Sequence, residues 1–223
     1  MKQSGLDKDV LPVDPEENRQ YTRFDQLNPE WWRRLANLTA APDGLIFDQV
    51  RVVGAALEMP WFNRVLRLEP ENLSLTYLTG RGPQPTYQDG LAALVLLNYL
   101  AAHRCLPAPM GLLTEHHLVG GTTFFRGPHV MAAVRVARHY SRAGDRFLES
   151  GRNWGGEPAA YGEYGISFRI FPGIEWIVAL WEEDEEFPAR AQYLFDKNLE
   201  KIFPLDVIWA LGNVVAAKML NSG

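Results

Sequence analysis

The chain has 223 residues, of which 47% are hydrophobic and 22% charged, enough apolar side chain to close one sizeable core and far from the composition of a disordered polypeptide. Its net charge of −5 provides no global basic field, so nucleic acid and anionic membrane surfaces are not expected partners and any anion site has to be local. Cys105 is the only cysteine, which excludes an intrachain disulfide and a cysteine-held iron–sulfur cluster or Cys-rich zinc site within the chain, and suits a reducing compartment.

The first residues lack the apolar segment of a secretory signal. The longest apolar run, 91–102, is interrupted by Asn98 and falls short of the roughly 20 residues that a membrane-spanning helix needs. A soluble, cytoplasmic protein is the expectation. Residues 1–27 are polar, with Pro12, Pro15 and several acids and no periodicity, and read as a flexible arm ahead of a single domain over 28–223.

Asn28 can cap free N–H groups and Pro29 is pre-set for a first helical position, so a helix with Trp31, Trp32, Leu35 and Leu38 on one face is expected to about Thr39. After a turn at Pro42, Asp43 and Gly44, the alternation over 64–68 and 73–78, joined by Glu69-Pro70-Glu71-Asn72, predicts a β-hairpin. A loop over 80–87 precedes a buried helix over 91–103, and Pro107, Pro109 and Gly111 mark a further loop. From Pro128 to about Arg142 the apolar spacing is helical. Between Arg126 and Arg152 six arginines stand against only Asp145 and Glu149, a basic segment inside an acidic protein. The glycines over 151–165 predict a long loop. Strands are expected over 174–181 and 190–196, and Pro204 opens a final helix through Val207, Leu211, Val215 and Met219. The fold class that follows is α+β: mostly antiparallel sheet built from hairpins, packed against a buried central helix and a C-terminal helix.

Two segments concentrate polar chemistry. The first is TEHHLVGGTTFFRGPH over 114–129, where Gly120 and Gly121 free the backbone, Thr122 adds a hydroxyl, and Arg126 and His129 stand before the basic helix. A helix start presents unpaired N–H donors and Arg offers a forked donor, so these parts could hold a carboxylate or phosphate; an ordinary turn is the alternative. The second is the run of five acids over 182–186, joining the last two strands. It is either a solvated hairpin tip or, clamped between Trp181 and Phe187-Pro188, a set of partly desolvated carboxylates, with Asp184 and Glu185 as candidate catalytic groups. No HExxH or paired CxxC spacing is present, and the neighbours His116 and His117 diverge on either a strand or a helix, so no metal site is expected. Cys105, close to His103, reads as a buried inert thiol.

The stretches Leu96-Leu97-Asn98-Tyr99-Leu100, Gly120-Gly121 with Phe124-Phe125-Arg126-Gly127, Trp181-Glu182 with Asp184-Glu185-Glu186-Phe187-Pro188-Ala189, and Leu194-Phe195-Asp196 resemble the domain-of-unknown-function 3786 family of anaerobic bacteria and archaea, over about 90–200. That resemblance implies no established activity. Some relatives look as if they carry a cysteine-rich iron–sulfur segment beside this domain, which this chain, with Cys105 alone, lacks.

Three functional readings follow, and none points to a particular cofactor. The leading one is a binding module for a small anionic ligand or cofactor held by Gly120, Gly121, Thr122, Arg126 and His129. A second is an enzyme in which Asp184 or Glu185 acts as general base and Arg126 steadies developing negative charge. A third is an accessory protein that docks a basic partner on its acidic loop.

Overall fold

In the computed structural model, which describes residues 23–40, 44–47, 49–80 and 82–221, helix α1 (Pro29–Thr39) starts as its chemistry requires: the Asn28 side chain accepts the Glu30 amide, and Pro29 fills the first turn. Trp32 and Leu35 are buried on its inner face. Residues 1–22 of the expected arm lie outside the described residues, as do Pro42 and Asp43 of the expected turn. The end of that arm is packed, with Leu27 in the core and Phe24 against it.

Strands β1 (Gly44–Phe47), β2 (Val50–Val53), β3 (Ala56–Trp61), β4 (Arg64–Glu69) and β5 (Ser74–Tyr77) form an antiparallel meander in chain order. The expected hairpin is β4–β5, with Leu66 opposite Tyr77 and Leu68 opposite Leu75. Alternation buries Leu66 and Leu68 and, on the same face, Arg64. A second sheet holds β6 (Leu112–Leu113), β7 (Glu157–Pro158), β8 (Tyr164–Phe171), β9 (Ile174–Trp181) and β10 (Arg190–Asp196) in the order β6-β10-β9-β8-β7, all antiparallel. β9 and β10 lie where the sequence places them, whereas β8 follows directly on the glycine-rich stretch and is not evident from it.

Helix α2 (Tyr87–His103) begins before the expected Leu91 because Thr86 and Asp89 form a reciprocal capping box. The expected helix over 128–142 is shorter: Gly127–His129 is a single 3-10 turn, and α4 covers only Ala133–His139. Helix α3 (Gly121–Phe124) precedes it, and α5 (Gly144–Asn153) follows it, unexpected from the sequence. In α5 the first residue, Gly144, lies so close to the Tyr164 ring that a Cβ there would collide with it. Helix α6 (Leu205–Leu220) is the last element among the described residues. Buried on most sides, α2 and α6 pack against each other, while α4 runs along β10 and α5 along β8.

Two of the contacts between the first half of the chain and the second stand out. The Phe62 amide, in the β3–β4 turn, donates to the Ile170 carbonyl of β8 at 2.8 Å. More deeply, the Asp89 carboxylate, 1% exposed, gathers donors from both halves. Oδ1 accepts Trp61 Nε1 (2.9 Å), the Tyr77 hydroxyl (3.0 Å) and Lys218 Nζ of α6 (2.9 Å), and Oδ2 accepts the Thr86 amide and hydroxyl at 2.9 and 2.8 Å. Burial pushes the Asp89 carboxyl up, but Lys218 and the remaining donors outweigh it and hold the group below its usual range. Burial likewise pulls the Lys218 ammonium down from its usual range, with Asp89 opposing that pull.

Removing one member of a buried pair strands the other, so Lys218→Met should lower stability by about 3–5 kcal/mol in urea denaturation. Because the folded state holds the Asp89 proton less tightly than the unfolded chain, this carboxylate's contribution is full at neutral pH and is lost as pH falls through its depressed folded-state pKa. The stability gap between the wild-type protein and Asp89→Asn should therefore narrow progressively in strongly acidic solution; a gap constant with pH would contradict the ionic role.

Candidate functional site

The acidic run folds into the tip of the β9–β10 hairpin, and its members divide by role. Glu182 Oε1 accepts the Gly144 amide at 2.7 Å, at the start of α5, where a helix favours negative charge. The Glu183 amide donates to the Ser141 carbonyl at 2.9 Å and its carboxylate pairs with Arg142 at 2.7 Å. Both acids anchor the tip to the α4–α5 corner. Asp184 closes the turn: Oδ1 accepts the Glu186 and Phe187 amides at 2.8 and 2.7 Å, and its own amide donates to the Phe187 carbonyl at 3.0 Å. Those backbone bonds, Phe187 first, hold its carboxyl below the usual range. Glu185 and Glu186 are exposed.

The expected clamp is one-sided. Trp181 is half-buried with the Arg190 guanidinium 4.1 Å from its ring centroid, but Phe187 is 65% exposed. The half-buried carboxylates are consequently Glu182 and Glu183, and Asp184 and Glu185 stand in solvent. Beside the tip, a groove of about 320 Å³ runs between α4 and the start of β10, lined by Val134, Ala137, Pro188 and Ala191 together with the charged Arg138 and Glu183.

The 114–129 segment folds as a 3-10 turn (Glu115–His117), α3 and a second 3-10 turn. Its glycines serve close packing. Gly120 takes a left-handed φ of +79°, and a Cβ on Gly121 would run into the Glu115 carbonyl oxygen. The Gly121, Thr123, Phe124 and Phe125 amides all bond carbonyls inside the turn, which leaves few donors for an anion. Arg126 is exposed, and His129 stacks on Phe124 with ring centroids 4.5 Å apart and meets Trp209 of α6 edge-on. Thr122 is exposed as well.

These segments flank α4 at its two ends, 126–129 before it and the acidic tip at Ser141 and Arg142 after it. Seven helical residues separate the ends by roughly 10 Å along the axis. Among the described residues no hydrogen bond or ion pair joins 120–129 to 182–186. The structure therefore gathers Gly120, Gly121, Thr122, Arg126 and His129 in one turn and places Asp184 and Glu185 elsewhere.

Several charged groups were not singled out in the sequence. Glu115 has a buried Oε2 without a hydrogen-bond partner, and burial pushes its carboxyl up; His116 lies 3.5 Å away, and His117 bonds the Thr114 hydroxyl at 2.9 Å. Around Asp89, the Arg64 guanidinium lies 3.8 Å from the Trp154 ring centroid, and Lys218 Nζ sits 4.4 Å from Trp154 and 4.9 Å from Phe62. Desolvation beside Asp89 drives the Tyr77 hydroxyl far above its usual range. Two signals were available: Thr86 and Asp89 match a capping box, and Lys218 interrupts an otherwise apolar helix. Cys105, expected to be buried, is exposed, with its thiol 3.6 Å from the His103 carbonyl. A polar cleft of about 490 Å³ lies between the two sheets, lined by Gln49, Phe62, Arg169 and Glu175, the last two facing each other across the β8–β9 pair. No helix among the described residues is long and apolar enough to cross a membrane.

A family model described as a domain of unknown function, DUF3786, matches residues 40–218. No curated protein and no solved structure matches the chain.

Asp184→Ala should loosen the tip while leaving the core intact. A glutamate-specific protease should then cut after Glu185 or Glu186 several-fold faster than in the wild-type protein, with the thermal midpoint little changed. Gly121→Ala should instead lower that midpoint clearly, because the Glu115 carbonyl cannot move aside without breaking its turn.

Proposed function

The chain belongs to the DUF3786 family, and from the geometry of its acidic tip we propose that it is a docking module that grips a basic protein partner at this end of the second sheet. One observation carries the reading. Glu182 and Glu183 are bound to the α4–α5 corner and Asp184 closes the turn, so the loop is braced, yet Glu185, Glu186 and a 65% exposed Phe187 project from it beside the α4–β10 groove.

A solvated tip does not call for a large exposed ring, and a ring beside two carboxylates is suited to an apolar anchor surrounded by steering charge. Interfaces use aromatic residues in this way, with charge complementarity setting encounter rate and register. The small-anion reading rests on weaker support, since the turn at Gly120 and Gly121 consumes most of its own donors and leaves Arg126 and His129 to act without them. General-base catalysis by Asp184 or Glu185 would require Arg126 to reach across the length of α4.

Binding of fluorescein-labelled nonapeptides rich in Lys and Arg, followed by anisotropy, tests the proposal. Affinity should fall several-fold on raising salt, because exposed charges are screened beyond roughly 10 Å at 0.1 M. It should also drop about tenfold or more with Glu185→Lys combined with Glu186→Lys, and again with Phe187→Ser. Binding indifferent to both variants would place any docking elsewhere on the molecule.

A further inference from the structure

The outer edge of β10 offers more than a neighbour to the acidic tip. β6 pairs only with Phe195 and Asp196, so over residues 190–194 the side of β10 away from β9 meets no strand among the described residues. The outward amides and carbonyls there bond no described residue, and the pairing with β9 is continuous, without the bulge that commonly blunts an edge. This edge borders the groove where Val134, Ala137 and Ala191 present small apolar side chains, and its Arg190 end abuts the acidic tip.

We propose that the partner docks as an extended segment that adds a strand to β10 over residues 190–194. The inference rests on the docking reading and specifies its partner. Five residues span roughly 17 Å at 3.4 Å per residue, long enough for a short stretch of main-chain hydrogen bonds to supply affinity while alternate side chains supply specificity. Every pairing in this sheet is antiparallel, and an antiparallel segment leaves the sheet at the Arg190 end with its C-terminal residues. The matching sequence therefore has medium-sized apolar residues at alternate positions, facing Val134, Ala137 and Ala191, followed by Lys or Arg placed against Glu185 and Glu186.

The probe is a synthetic nonapeptide with alternating Val and Thr ending in Lys-Arg. Two derivatives carry N-methyl groups on its odd or on its even backbone amides, and a fourth peptide has the reversed sequence. Only one set of amides in an added strand faces β10. One methylated derivative should therefore bind at least tenfold more weakly than the parent, the other should retain most affinity, and the reversed sequence should bind several-fold more weakly. Equal binding by both methylated peptides, with sensitivity to Glu185→Lys and Glu186→Lys retained, would overturn strand addition and leave acidic docking standing. Binding that ignores both the methyl groups and the glutamate variants would overturn the two together.

Discussion

The fold turns on a single buried carboxylate. Asp89 stands at the N-terminus of α2, and its two oxygens collect an indole from β3, a hydroxyl from β5, the cap donors of Thr86 and the ammonium of Lys218 on α6. An ion inside a core is tolerated only when its lone pairs are filled, and here they are filled by groups from opposite ends of the chain. The cap that starts α2 is thereby the same group that fixes α6, so helix initiation and tertiary closure share one atom set. Aromatic rings complete the enclosure: Trp154 and Phe62 face Lys218, and Phe62 also bonds β8 through its main chain.

That closure has a consequence for the far end of the molecule. With α6 held by Lys218 and packed on α4, the helix α4 is kept along β10, and its C-terminal corner supplies the Ser141 carbonyl and Arg142 that brace the acidic tip. Asp196 secures the other end of β10 by accepting the Met110, Gly111 and Asn198 amides at 2.9, 2.9 and 2.8 Å. Burial raises the Asp196 carboxyl, but these three backbone donors bring it below its usual range. The strand is thus fixed at both ends while the middle of its outer side carries no strand among the described residues. A rigid frame around an unpaired edge is what strand addition requires, since little ordering is left for the partner to impose on the protein.

Much of this was legible in the residues. Asn28 with Pro29, the alternation of β4 and β5, the strands β9 and β10 and the helix after Pro204 all follow from local chemistry, and each stands where its pattern indicates. The missed elements fail for identifiable reasons. Glycine weakens a helix, yet Gly144 opens α5 because the Tyr164 ring leaves no room for a side chain there. The glycines before β8 conceal its start in the same way. Site residues were harder. The five acids are alike in sequence, and only the positions of Gly144, Ser141 and Arg142, distant along the chain, divide them into anchors and free charges. Phe187 looks like an inward clamp beside Trp181, but one Arg190 guanidinium is enough to hold Trp181, and Phe187 is left outward. Arg64, Asp89 and Lys218 lie on three separate elements whose convergence no local pattern records.

Residue-resolved amide hydrogen exchange of the free protein tests the central claim, a pinned frame presenting an open strand edge. The slowest exchange should lie in α2 and α6 around Asp89 and Lys218. Residues 190–194 should alternate, with slow exchange at amides bonded to β9 and exchange faster by orders of magnitude at those facing outward. Uniform protection along β10 would show its outer side already covered and would contradict the account.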